Sequence, residues 1–74
     1  MKMRYFAREG YGDELHGLYR HGPLGDKFVE QYFAKGEWHD DVDTRISAYL
    51  IMGEGWYTEL NEEQARAHRP EAFL

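Results

Sequence analysis

The residues of this 74-residue chain that could carry chemistry are few. The chain contains no cysteine, and Ser47 is its only serine. Ser47 falls in the middle of a predicted helix and lacks the glycine-rich turn that exposes a nucleophilic serine. The glycine pairs Gly10/Gly12 and Gly53/Gly55 lack the wider glycine pattern and the following Lys-Ser/Thr that cradle a phosphate. We therefore predict a protein without nucleophilic catalysis, and more generally not an enzyme.

One segment concentrates residue types that bind metals. His39, Asp40, Asp41 and Asp43 place one imidazole and three carboxylates within a short stretch. Nitrogen and oxygen ligands of this kind suit Mg, Mn or Zn. The carboxylates are better explained as caps of the helix predicted to follow, because they can accept hydrogen bonds from its first N–H groups and oppose its dipole. We predict no metal and no other cofactor, and the cluster around His39 stays open as an alternative.

A helix over residues 42–53 is the element around which we expect the fold to be organised. Its apolar positions recur at i, i+4, i+7, i+8 and i+11, a spacing that lines one face of a helix. They are Val42, Ile46, Tyr49, Leu50 and Gly53. Gly53 also suits the left-handed conformation that commonly ends a helix. We predict that this helix covers a sheet.

The first part of the chain predicts two strands. Residues 1–8 alternate between two sets of side chains, which is the period of a half-buried strand. One set is Met1, Met3, Tyr5 and Ala7, and the other is Lys2, Arg4, Phe6 and Arg8. A weaker alternation runs over residues 15–21, and Pro23 then indicates a turn. Because the two runs are close in sequence, we predict that they pair as an antiparallel hairpin.

Residues 28–38 are compatible with two structures. Their aromatic and β-branched content favours a strand, after which Lys35 and Gly36 would turn the chain and Trp38 would return to the core. The alternative is a helix that Asp26 caps and Gly36 ends. We predict the strand.

The rest of the sequence predicts a short strand over residues 56–60 and a terminal helix. Asn61 and Gln64 have the spacing of a capping box, and Pro70 stops the helix. The fold class that follows is α+β: an antiparallel sheet of three to four strands packed against one main helix, with a short C-terminal helix. A chain of this length forms one domain, over residues 1–74.

Charge is distributed unevenly along the chain. Residues 1–27 carry five Lys/Arg and four Asp/Glu, a net of +1, and residues 28–74 carry four and ten, a net of −6, which together give −5. Such asymmetry indicates a partner in some proteins, but neutralisation within one fold explains it as well.

One predicted surface combines cations with an aromatic ring. If the first two strands pair, one face of the hairpin carries Arg4, Phe6, Arg8, His16 and Arg20. Arginines beside an exposed ring could contact an acidic protein or stack on single-stranded nucleic acid. The alternative is that Phe6 belongs to the core and the arginines are solvated or pair with acids of the second half. The net negative charge argues against nucleic-acid affinity, which depends on many cations.

Five short sequences occur in an order that is similar to a known group of proteins. They are Met3-Arg-Tyr-Phe-Ala-Arg, Leu15-His-Gly-Leu-Tyr-Arg, Gly36-Glu-Trp, Tyr49-Leu-Ile-Met-Gly-Glu and Thr58-Glu-Leu-Asn-Glu-Glu-Gln-Ala. In this order they resemble small uncharacterised proteins of actinobacteria and their phages. The resemblance implies a small cytosolic accessory protein, with a phage as one candidate source. It implies no activity and no site residues.

These observations together favour a binding function. No apolar run has the length of a signal peptide or a membrane span, so we expect a cytoplasmic protein without a membrane partner. The missing catalytic pattern and the aromatic-rich, charge-segregated sequence predict a non-catalytic protein–protein interaction module, directed at a host protein if the source is a phage. The expected partner is an unidentified protein or a second copy in a homodimer. The alternative is a metal-dependent or nucleic-acid-directed activity, including acidic mimicry of nucleic acid.

Overall fold

The structure, a computed structural model, describes residues 2–74, and within them the chain forms five strands, two α-helices and a C-terminal 3-10 helix. In chain order these elements are β1 (Arg4–Glu9), β2 (Leu15–Leu24), β3 (Lys27–Ala34), β4 (Glu37–Asp40), α1 (Arg45–Met52), β5 (Tyr57–Leu60), α2 (Glu62–His68) and the 3-10 helix (Pro70–Phe73). The predicted first strand is therefore β1, and Met1 lies outside the described residues.

The strands form one sheet in the order β4-β3-β2-β1-β5, with every neighbouring pair antiparallel. The prediction of three to four strands packed against one main helix is wrong. The described part of the chain is a small α+β domain with a five-stranded antiparallel sheet, and its two short helices lie on opposite faces of that sheet. The extra strand is β4, whose four residues are too few to show an alternation.

Each face of the sheet has its own core. On the α1 face the buried residues are Phe6, Tyr19 and Ile46. On the α2 face they are Tyr5, Ala7, Leu18, Leu60 and Ala65. Because β1 is an inner strand that is covered on both sides, residues of both alternating sets are buried in its middle, Tyr5 and Ala7 on one face and Phe6 on the other. Alternation in the sequence distinguishes the two faces, but it does not show that both are covered.

Helix α1 begins later than predicted, at Arg45. Val42 is 87% exposed, and Thr44 has a φ of 47°, a left-handed conformation that separates it from the helix. The cap comes from Asp41, whose Oδ2 accepts a hydrogen bond from the Arg45 backbone N–H at 3.0 Å. The prediction that the aspartates before the helix cap it is therefore confirmed for Asp41, which bonds to the first turn.

The end of α1 agrees with the prediction. Gly53 is left-handed, and its N–H donates to the Tyr49 carbonyl oxygen at 3.0 Å. Ile46 from the predicted apolar stripe is buried against the sheet, whereas Leu50 is 37% exposed. The shorter helix covers less of the sheet than the predicted one would.

Residues 28–38 are extended, as predicted, so the helical alternative is wrong. The segment is a hairpin of β3 and β4, and Lys35 and Gly36 form its turn with φ values of 53° and 78°. Positive φ at both central residues is the type I′ geometry, whose twist matches that of antiparallel strands.

Strand β2 runs through Pro23 to Leu24, where the sequence predicted a turn. Pro23 lies opposite Phe28 of β3, one position before the pair that closes the hairpin. In such a two-residue hairpin the nitrogen of this position points away from β3. Because β1 begins only at Arg4, no ladder partner on that side needs the N–H that proline lacks.

Helix α2 begins with the predicted capping box. Asn61 Oδ1 accepts from the Gln64 N–H at 2.7 Å, and Gln64 Oε1 accepts from the Asn61 N–H at 2.9 Å. The 3-10 helix then places the Phe73 ring 5.3 Å from that of Tyr5, between centroids, which completes the α2 face. Within residues 2–74, no helix has the length and apolar character needed to cross a membrane.

Candidate binding surface

The five residues of the predicted binding surface do not share one exposed face. Alternation along β1 puts Arg4, Phe6 and Arg8 on the α1 face, and His16 joins them because it lies opposite Arg8. Phe6 is 0% exposed beneath α1. Arg20 is half-buried on the α2 face. The structure therefore brings four of the five residues to one side of the sheet and removes the ring from solvent.

Arg4 is engaged within the fold. Its Nε donates to Glu59 Oε2 at 2.8 Å and its Nη2 to Glu59 Oε1 at 2.6 Å, which is a bidentate ion pair across the β1–β5 edge. Its guanidinium carbon also lies 5.4 Å from the centroid of the Phe6 ring. A cation of the first half of the chain is thus neutralised by an acid of the second half, the alternative that the sequence had left open.

The Arg4–Glu59 pair gives a pH-dependent prediction. The hydrogen bond from Arg4 holds the pKa of the Glu59 carboxyl below its usual value. The stabilisation is therefore fully present above the unfolded pKa of about 4.3 and is lost as the pH falls through the lower folded value. Since both side chains are more than 40% exposed, we expect Glu59→Gln to cost less than about 1 kcal/mol at neutral pH.

Urea unfolding of the wild type and of Glu59→Gln, at neutral pH and at about pH 2, measures this difference. The two proteins should differ in stability at neutral pH and converge in acid. Glu54→Gln, in an exposed loop, removes the same charge and serves as the control. A difference that is equal at both pH values would contradict the assigned ion pair.

Ser47 lies in a polar cluster between α1 and the sheet. Its hydroxyl donates to Glu30 Oε1, and His21 Nε2 lies 3.3 Å from Ser47 Oγ and 3.2 Å from Glu30 Oε1. In a catalytic Ser-His-acid triad the carboxylate holds the other ring nitrogen and the serine donates to the histidine. Here the carboxylate and the serine hydroxyl both lie near His21 Nε2, and the serine donates to the carboxylate instead of the histidine. The cluster therefore lacks the arrangement of a triad. It links α1 to β2 and β3 through side-chain contacts.

The residues of the predicted His39 cluster contact different partners within the fold. His39 Nε2 lies 3.1 Å from a backbone carbonyl oxygen at the end of β3. Asp40 accepts a hydrogen bond from a glutamine of β3 at 3.0 Å, Asp41 caps α1, and Asp43 accepts from Arg45 at 3.1 Å. Across residues 2–74, no three His, Asp or Glu side chains come together in a way that could hold a metal ion.

Two large aromatic residues outside the strands, Tyr11 between β1 and β2 and Trp56 directly before β5, are highly exposed. Tyr11 is 93% exposed and Trp56 is 78% exposed. Both residues lie at the same end of the sheet, because the Glu9 N–H donates to the Trp56 carbonyl oxygen at 2.8 Å, where β1 ends beside the start of β5. Glu9, Gly10, Tyr11 and Trp56 line an open hollow of about 430 Å³. We call these four residues the aromatic end.

Carboxylates flank the aromatic end. Glu9 Oε1 accepts a hydrogen bond from the Thr58 hydroxyl at 2.8 Å. A second hollow, of about 270 Å³, shares Glu9 and is also lined by Asp13 and Glu14. Glu14 Oε2 lies 3.3 Å from His16 Nε2. Of the described residues that line these two hollows, none is Lys or Arg.

Both exposed rings have glycine neighbours in the sequence, a feature on which none of the predictions above depends. Tyr11 lies between Gly10 and Gly12, and Trp56 follows Gly55 directly. A large ring beside glycines in a turn has few neighbouring side chains that could bury it, so it is a candidate for exposure. That Tyr11 and Trp56 line one hollow depends on the pairing of β1 with β5, which joins segments far apart in the sequence.

Comparison of this chain with protein-family models, with curated proteins and with solved structures gives no match.

Proposed function

We propose that this protein is a small non-catalytic protein–protein interaction module whose contact surface is the aromatic end. The observation that carries the proposal is the exposure of Tyr11 and Trp56 together at one edge of the sheet. Tryptophan and tyrosine are enriched among the residues that dominate the energy of protein interfaces. An exposed pair of such rings lowers the solubility of a protein. A role in binding a partner would explain why this chain exposes them.

The chemistry of the surroundings supports a partner with apolar and basic groups. Asp13 and Glu14 flank the rings, and Glu9 lies between the two hollows. A surface of this kind gives complementary electrostatics with a cationic protein, which speeds encounter and selects among partners. The same charge opposes contact with the phosphates of nucleic acid, so the nucleic-acid-directed alternative has less support.

The test is affinity capture from an actinobacterial lysate that has been treated with nuclease. We expect a bound protein whose capture is lost in the double variant Tyr11→Ala/Trp56→Ala. Removing central aromatic contacts of an interface typically costs at least about 2 kcal/mol, roughly a 30-fold weakening of binding. The purified partner and both forms of the protein then give the ratio of dissociation constants by calorimetry.

The matched control is Leu24→Ala/Phe28→Ala. These side chains are also exposed, at 45% and 52%, and they lie at the β2–β3 end of the sheet, away from the aromatic end. The control should bind like the wild type. Equal capture by the wild type and the Tyr11/Trp56 variant, or loss of all capture after nuclease or chelator, would count against the proposal.

A homodimer is tested separately, by light scattering over a range of protein concentrations. A dimer that dissociates in the Tyr11→Ala/Trp56→Ala variant would identify the partner as a second copy. The cytoplasmic setting and the phage source implied by the resemblance stay predictions within this proposal.

A further inference from the structure

The hollow at the aromatic end has features of a site for a cation. Its lining comprises Glu9 and Gly10 at the end of β1 together with the aromatic residues Tyr11 and Trp56. The negative face of an aromatic ring attracts a guanidinium or ammonium group, and tryptophan is the strongest of the three aromatic residues in this role. A carboxylate at the same place supplies a full opposite charge.

Glu9 is held in position for such a contact. The Thr58 hydroxyl donates to Glu9 Oε1 at 2.8 Å, and Glu9 lies at the end of β1, where its backbone is bonded to that of Trp56. The hydrogen bond from the Thr58 hydroxyl occupies Glu9 Oε1 and leaves Glu9 Oε2 able to accept another hydrogen bond. A carboxylate fixed before binding loses less conformational entropy when the ligand arrives.

The same chain shows how its rings accept guanidinium groups elsewhere. Arg20 lies 4.2 Å from the centroid of the Trp38 ring, and Arg66 lies 4.6 Å from the centroid of the Phe73 ring. Both rings belong to the α2 face, where they are partly buried and already have an internal cation. The described residues that line the hollow at Trp56 include no Lys or Arg, so no guanidinium or ammonium group of this lining occupies it.

We infer that the hollow of the aromatic end binds an arginine side chain of the partner, with the guanidinium against Trp56 and hydrogen-bonded to Glu9. Arginine suits the site better than lysine, because a planar guanidinium stacks on a ring and bonds a carboxylate at once. Asp13 and Glu14 in the adjoining hollow would favour further basic residues in the same segment. This inference rests on the proposed function and names the chemistry of its partner.

The probe is the peptide acetyl-Ala-Arg-Ala-amide, titrated into the ¹⁵N-labelled protein and followed by NMR. The indole N–H signal of Trp56 reports on the site, and that of Trp38 serves as the internal control. Trp56 lines the hollow, whereas Trp38 packs on the α2 face with its Nε1 directed at the Ala72 carbonyl oxygen. We expect the Trp56 indole and the Glu9 and Tyr11 amides to shift while Trp38 stays in place.

Variants of the protein test the contribution of the Glu9 charge and that of the Trp56 ring separately. Glu9→Gln keeps an oxygen for the Thr58 hydroxyl, removes the charge, and should weaken peptide binding about threefold to tenfold. Trp56→Ala should abolish the titration. Glu63→Gln, an exposed position on α2, removes the same net charge at a distance and should bind the peptide like the wild type. The matched peptide with citrulline, which is nearly isosteric with arginine but neutral, should not bind.

Three results would overturn the inference: equal shifts with the citrulline peptide, equal weakening by Glu9→Gln and Glu63→Gln, or shifts at Trp38 rather than Trp56. These results leave the proposed function standing if the captured partner still depends on Tyr11 and Trp56. The opposite pattern, with specific arginine binding but no nuclease-resistant partner, would remove the proposed function and retain the cation site.

Discussion

Phe6→Ala is expected to remove most of the stability of the domain at 25 °C. The Phe6 ring is 0% exposed and packs between β1 and α1, with its centroid 6.1 Å from that of Tyr49. Truncation of a buried phenylalanine costs about 3–5 kcal/mol, because burial is lost and a cavity is left. A domain of this size has a total stability on the order of 5 kcal/mol. Circular dichroism and urea unfolding measure the loss.

Phe28→Ala is the matched control, since it deletes the same ring where the side chain is 52% exposed. It should cost less than about 1 kcal/mol. Phe6→Leu should retain the fold with an intermediate loss of stability, because it keeps an apolar side chain in the site. A folded Phe6→Ala protein with normal stability that fails to bind a partner would instead support Phe6 as a contact residue and contradict its place in the core.

Leu18→Ala is expected to have the second largest effect, on the opposite face of the sheet. Leu18 is 1% exposed, in the core with Tyr5 and Ala65 of α2. Replacing a buried leucine by alanine costs about 2–5 kcal/mol, with the cost rising with the cavity that remains. The free energy of unfolding in urea gives the magnitude.

The location of the damage can be observed as well. Trp38 packs against the same core and is the half-buried tryptophan, so its fluorescence should shift to longer wavelength in Leu18→Ala as the α2 face loosens. Leu24→Ala makes the same change at a side chain that is 45% exposed, and it should leave both stability and emission almost unchanged. Equal losses in the two leucine variants would refute the assignment of Leu18 to the core.

Much of the local structure could be read from the residues. The hairpin of β1 and β2, the turn at Lys35 and Gly36, the glycine that ends α1 and the capping box of α2 are all present. These features depend on hydrogen bonds and backbone angles within a few residues, so the identities of those residues determine them.

The location of the candidate binding surface could be predicted only in part from the sequence. Alternation placed Arg4, Phe6 and Arg8 correctly on one face, but Phe6 lies under α1. The neighbouring glycines mark Tyr11 and Trp56 as candidates for exposure, yet nothing local brings them to one hollow. Burial and proximity of this kind depend on which distant segment covers a residue.

The sequence by itself determined the alternation of side chains along β1, the turn at Lys35 and Gly36, the glycine that ends α1 and the net charge of −5. Tertiary structure alone decided that β5 returns to pair with β1, that α1 and α2 cover opposite faces, and that Trp56 consequently lies beside Glu9. The physical reason is the distance along the chain between the residues that interact. Turns and caps are stabilised within one stretch of chain, whereas the pairing of distant strands is chosen by the apolar area that the whole domain buries.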